Sequence, residues 1–141
     1  MREAACHCIS EVCEEVCSQT AEDRKVFEEH VDALLGALID CFKDASWPVR
    51  DSACVACAHF VRAFPQESEQ RIEELFELWK QHLSDNIRSV RQHSAESLSL
   101  VAEALGEKML DRVIGLIDEL LPSYRKQPPD SKKFSQLETV T

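Results

Sequence analysis

One short pattern occurs three times in this chain. Met1-Arg2-Glu3-Ala4-Ala5-Cys6, Val49-Arg50-Asp51-Ser52-Ala53-Cys54 and Val90-Arg91-Gln92-His93-Ser94-Ala95 share one order of residues: apolar, arginine, two variable, two small. The arginines lie 48 and then 41 residues apart. Each copy is followed by apolar residues at i, i+3/i+4 and i+7, the spacing of an amphipathic helix. A repeat period in the forties, helical throughout, predicts a helical solenoid. Such a stack offers surface rather than a deep pocket, which points to protein binding and away from chemistry.

The three motifs set the register of everything else. The helices they open (B helices) are expected at about Arg2–Cys17, Pro48–Phe64 and Val90–Leu105. Their apolar faces are Ala5, Cys8, Ile9, Val12 and Val16; then Ala53, Cys57, Phe60, Val61 and Phe64; then Leu98, Val101 and Leu105. A second set (A helices) aligns at an offset of 41: Val31, Leu34, Leu35, Leu38 and Phe42 with Ile72, Leu75, Phe76, Trp79 and Leu83. Val113, Leu116, Ile117 and Leu120 continue the second set. Pro65 and Gly106 stand where B helices should stop. The longer first spacing reads as a loop insertion around Cys17 to Asp23.

The expected fold is therefore an all-α, α-α superhelix of about six helices over residues 1–121. It divides into a half repeat at 1–17, repeats at 24–64 and 68–105, and a half repeat at 107–121. The first B helix lacks a preceding A helix and the last A helix lacks a following B helix. The chain so reads as a stretch of a longer array whose unsealed ends favour self-association. Pro122, Pro128 and Pro129 are expected to break helix, leaving 122–141 as a polar, disordered tail with a lone Phe134.

The segments Asp44-Ala45-Ser46-Trp47-Pro48-Val49-Arg50-Asp51-Ser52-Ala53 and Asp85-Asn86-Ile87-Arg88-Ser89-Val90-Arg91 resemble the HEAT repeat family. The resemblance implies an aspartate in each A–B turn and an arginine at the start of each B helix. Asp44 with Arg50, and Asp85 with Arg91, fill those places. Stacked turns then bring acid and guanidinium together, tying turn to turn. HEAT arrays serve as scaffolds, transport receptors and tubulin binders. The expected function is a non-catalytic protein-interaction scaffold or adaptor, of which an acidic, karyopherin-like transport or assembly factor is one version. A tubulin-binding module that uses its turns is the alternative.

Charge narrows the partner. The net charge is −10, and all but two of the 26 acidic residues precede Pro122. An acidic body disfavours nucleic acid and suits a basic protein partner, or simply keeps the protein soluble. The acids recur in register on the A helices: Glu28 with Glu69, Asp32 with Glu73, Glu77 with Asp118. They read as a solvated face or a docking strip for a basic peptide. The B helices carry Asp51, Val55, Arg62, Gln92, Glu96 and Glu103 outside their apolar stripes, a polar surface suited to an extended partner. Trp47 and Arg88 mark the turns.

No catalytic, cofactor or metal site is expected. The three glycines form no phosphate-cradling motif. Seven cysteines, an odd number without signs of secretion, read as reduced thiols in the cytoplasm or nucleus. Cys8 and Cys57 lie in apolar stripes, while Cys6 and Cys54 lie in the small-residue column, so packing explains them better than zinc. Deoxyhypusine hydroxylases, a HEAT enzyme group, bind metal through His-Glu pairs, and no histidine here precedes a glutamate. Apolar runs are too short to cross a membrane.

Overall fold

The computed structural model describes residues 1–18 and 21–126. Its helices are α1 (Arg2–Ser18), α2 (Ala21–Glu28), α3 (Val31–Phe42), α4 (Trp47–Ala63), α5 (Ile72–His82), α6 (Arg88–Leu105) and α7 (Glu107–Arg125). A 3₁₀ turn at Glu69–Arg71 leads into α5. No strand occurs among the described residues.

The helices form two layers. The three motif helices stack side by side, α1 on α4 and α4 on α6. The second layer pairs α3 with α4, α5 with α6 and α7 with α6. This is the all-α helical stack that the repeat spacing predicts.

Composition explains the packing of the central helix. α4 is covered by α1, α3 and α6, and Ala53, Cys54, Ala56, Cys57, Ala58, Phe60 and Val61 along it are all buried. Four of those are alanine or cysteine ahead of Ala58, small enough to let neighbouring backbones approach. The volume is filled from the second layer by Leu35, Leu38, Ile39 and Phe42 of α3, and by Leu75 and Trp79 of α5. Trp79 is fully buried, and its indole N–H donates to the carbonyl of Cys54 at 3.3 Å. The Ser97 hydroxyl on α6 donates to the same carbonyl at 3.3 Å. One backbone oxygen of α4 thus joins side chains from both members of the following helix pair, satisfying polar groups that burial would otherwise penalise. Phe42 packs edge-on against Trp79 and His82.

The helix ends follow local chemistry. Pro48 sits in the first turn of α4, where its missing N–H is harmless. α6 stops at Gly106, whose φ of 84° lies in the left-handed region that glycine tolerates.

Three features differ from the sequence reading. A helix, α2, begins inside the expected loop insertion and runs past it to Glu28. Phe27 is the one apolar residue described on it that packs against the core, joined by Arg24 over the Phe64 ring, while Val26 is exposed, so it lacks the stripe that reveals a helix. Pro122 does not end α7, which continues to Arg125. Within the last turn a proline forfeits a single backbone bond, a smaller disruption than mid-helix. The apolar face of α1 is also rotated. Cys6, Cys13 and Val16 are buried and Ile9 is half-buried, whereas Ala5, Cys8 and Val12 are exposed. α1 packs chiefly on α4, with Arg2 reaching the turn after α3, and its side that carries Val12 is exposed. Residues 127–141, including Phe134 and most of the expected tail, lie outside the described residues.

Candidate interaction surface

The A–B turns are held by a ladder of arginines and aspartates. Arg50 is its most complete rung. Its NH1 donates to the carbonyls of Asp44 (3.1 Å) and Ala45 (2.9 Å) in its own turn. Its Nε and NH2 donate to the two carboxylate oxygens of Asp85 in the next turn, at 3.2 and 3.3 Å. Both side chains are largely buried, with 15% and 8% of their surface exposed. Arg2 reaches Asp44 in the same way from the preceding repeat, but its side chain is 73% exposed.

Each aspartate has a second task. Asp44 accepts the N–H of Ser46 at 2.8 Å, and Asp85 accepts that of Ile87 at 2.9 Å. Those amides precede α4 and α6, whose first N–H groups have no intrahelical partner. The Ser46 amide, together with the bond from Arg2, holds the Asp44 carboxyl below its ordinary 3.8. Arg91 differs from Arg50. Its NH1 donates to the Asp85 carbonyl at 2.7 Å, but its Nε is buried without a partner.

The B-helix surface is crossed by histidine contacts between neighbours. Asp51 and His93 meet at 2.7 Å between α4 and α6. Ser52 and His7 lie 3.2 Å apart between α4 and α1. His59 and Glu14 lie 3.5 Å apart, beside Cys13, Cys17 and Arg62 in a cleft of about 210 Å³. Gln92 donates to Glu96 at 3.0 Å, and both line a shallow depression with Arg88 and Ala95. Val55 is half-buried on α4, and Glu103 is exposed near the end of α6. Asp51 thus sits at the α4–α6 seam and Arg62 at the α1–α4 seam, whereas Arg88, Gln92 and Glu96 line a depression on α6 itself. Trp47 opens α4 in its turn and is 46% exposed.

The A layer carries a second set of ties that sequence reading missed. Asp32 of α3 faces Arg71 at 3.7 Å. In the same register one repeat later, Glu73 of α5 takes a two-pronged bond from Arg112 of α7, at 2.7 and 2.9 Å. Arg112 also lies 4.0 Å over the Phe76 ring. Lys43 bonds Glu74, and Lys80 bonds Glu119. Part of the acidic column is therefore consumed in binding repeat to repeat. The signal was present in the chain, because Arg71 and Arg112 recur 41 residues apart just as Asp32 and Glu73 do.

All seven thiols are free. Burial pushes Cys6, Cys13 and Cys54 up to about 12 and raises Cys57 as well, so these four are poor nucleophiles. Among the described residues, no three or more His, Cys, Asp or Glu side chains are grouped to hold a metal ion. No helix there is long and apolar enough to cross a membrane.

One family model matches the chain, over residues 9–101, and its description is the Vacuolar 14 Fab1-binding region. No curated protein and no solved structure matches it.

Proposed function

The chain belongs to the Vacuolar 14 Fab1-binding region family, and on that premise we propose that it is a non-catalytic scaffold of HEAT type whose partner is Fab1 or a Fab1-like protein. The observation that carries this reading is the family match itself, which begins within α1 and ends within α6. Those helices include the stacked B layer, the kind of surface that takes an extended partner. We place contact on the B layer, through Gln92 and Glu96 in the α6 depression and Asp51 at the α4–α6 seam, with Val55, Arg62 and Glu103 along the same layer. An acidic surface there suits basic segments of the partner. The free thiols suit a reducing compartment, the cytoplasm or the nucleus.

The test is direct binding of the purified chain to Fab1, measured by calorimetry at two salt concentrations. Micromolar or tighter binding is expected, weakened at least tenfold by Gln92→Lys together with Glu96→Lys. No binding by the wild-type chain overturns the reading.

A second reading is favoured by Trp47. A tryptophan half out of a turn is a typical anchor for a partner protein. With Arg88 at the next turn, it supports the tubulin-binding alternative. Microtubule cosedimentation that is lost in Trp47→Ala supports it; no sedimentation removes it. The karyopherin-like version is weakened by the ion pairs that occupy Glu73, Glu74 and Glu119.

A further inference from the structure

The connections that lead from a B helix to the next A helix lie at the other end of the helices from the Arg/Asp turns. A groove of about 470 Å³ runs between two of them, the α4–α5 and the α6–α7 connections. Pro65, Ile72, Ala104, Leu105 and Met109 give it an apolar lining. Met109 is buried, and Ile72 and Leu105 pack half-buried against the core. Glu73 and Arg112 also line it, but they satisfy each other through the two-pronged bond between α5 and α7. Glu69 on one wall and Lys108 on the other are exposed, and among the described residues neither side-chain charge has a partner. An apolar cleft of this size with a few charges at its rim is the ordinary form of a binding site.

The repeat register shows how the chain treats the same place one repeat earlier. At the offset of 41, Pro65 corresponds to Arg24 and Leu105 to Phe64. Arg24 extends from α2 and stands 5.4 Å from the centre of the Phe64 ring, at the end of α4. A cation held over an aromatic face is a net attraction. The chain thus bridges the first pair of connections with a side chain of its own. Neither half of that bridge exists in the second pair, because proline cannot reach across and leucine has no ring. In the same register Met109 stands for Ser68 and Lys108 for Glu67. The second groove is therefore unbridged at its connections, greasier than the first, and flanked by one charge of each sign. Both of its walls are successive connections inside the stack, and a further repeat would pack beyond α7 rather than between them.

We propose that this groove binds an extended peptide of a partner protein, with an aromatic anchor against Leu105 and Met109, a basic residue on one side of the anchor and an acidic residue on the other. Glu69 receives the base and Lys108 the acid. Residues two apart in an extended segment point the same way, so base, ring and acid at alternate positions all face the groove. A ring suits the lining because it carries a large apolar area on few rotatable bonds, and the Met109 thioether favours an aromatic neighbour. The site shares no residue with the B-layer surface assigned to Fab1, so the two can be lost separately.

The probe is a short fluorescent peptide with phenylalanine at its centre, lysine two residues before it and glutamate two residues after. Fluorescence anisotropy with the full chain should show saturable binding that falls at least tenfold when the phenylalanine is replaced by alanine. Glu69→Lys should weaken binding at least fivefold, and a peptide with glutamate on both flanks should recover it. Lys108→Glu should weaken it likewise, with recovery by lysine on both flanks. Both side chains are exposed, so neither change should move the melting midpoint. Pro65→Arg with Leu105→Phe rebuilds the bridge of the first repeat and should abolish binding. No binding by the wild-type chain overturns the proposal, as do charge exchanges that change nothing or that no peptide rescues. So does full binding by the bridged variant. A dimer in sedimentation equilibrium that the bridged variant dissolves also overturns it, because the occupant is then a second copy. Binding that develops only after removal of residues 127–141 does the same, since the chain then fills its own groove.

Discussion

Arg50 and Arg91 stand at the same point of successive repeats and make different bonds. Both tie back to a carbonyl of their own turn, Arg50 to Asp44 and Arg91 to Asp85. Only Arg50 also reaches forward, with two nitrogens on the Asp85 carboxylate. The Nε of Arg91 is buried and unpaired. A rung therefore has a local half, complete within one repeat, and a coupling half that exists only where a second turn supplies an acid. The same split divides the A layer. α5 ties to α7 through ions, while the matching positions on α7 (Leu110, Ile114, Ile117 and Leu121) are apolar, the first two about half exposed.

Substitutions along the ladder should be graded by how much of a rung each removes. The largest loss is expected for Asp85→Ala, about 3 kcal/mol, because it strips Arg50 of its forward partner and uncaps the start of α6. Arg50→Ala should cost about 2 kcal/mol. Arg91→Ala should cost no more than about 1 kcal/mol, since one charge-assisted bond is lost and a buried orphan is relieved. Arg2→Ala should cost less than about 0.5 kcal/mol, as expected of an exposed pair. Urea denaturation of the four variants measures the series. Equal losses at Arg50 and Arg91 would break the comparison.

Acid should act on the ties between repeats in a definite direction. Asp44 is held below 3.8, first by the Ser46 amide and then by Arg2. Glu74 is held below 4.5, chiefly by the bond from Lys43. A folded-state value below the unfolded one means the contribution is full above the unfolded value. It is lost as pH falls through the folded one. The double variant Asp44→Asn, Glu74→Gln should therefore melt below wild type at neutral pH, and the gap should close once the pH drops below both folded values. A gap that persists in acid would assign the effect to shape rather than charge.

The smallest effect concerns reactivity. Cys8 and Cys17 are exposed, while Cys6, Cys13, Cys54 and Cys57 are buried. An aromatic disulfide reagent should label the first two within minutes in the folded protein and the other four only on unfolding. Rapid labelling of Cys6 or Cys13 would mean that α1 detaches from α4.

Much of the fold was legible because it repeats. Arg2, Arg50 and Arg91 fixed the register of three helices, and the offset of 41 placed α3, α5 and α7 beside them. What escaped was set by neighbours rather than by pattern. Val12 has the spacing of a core residue, yet it is exposed because α1 buries Cys6, Cys13 and Val16 instead. Phe27 and a cation, Arg24 over Phe64, anchor α2, too little apolar surface to reveal a helix. The site was legible only as a set of surface columns. Asp51 and His93 lie on different helices, and their contact depends on how α4 and α6 stack. That stagger is a property of packing, and no spacing along the chain encodes it directly. The salt ties of the A layer were readable in principle, since both partners recur at one period, but acids and bases had to be compared together.

The two tryptophans occupy opposite extremes, Trp79 sealed in the core and Trp47 half out of a turn. The molecule thus carries two optical reporters of separate events. Emission from Trp79 should be blue-shifted and should change only when helix pairs come apart. Emission from Trp47 should lie to the red and respond to anything that settles on the turn edge. Replacing either one with phenylalanine leaves a single-channel protein, in which docking at the turns and loss of the stack can be followed independently in the same cuvette.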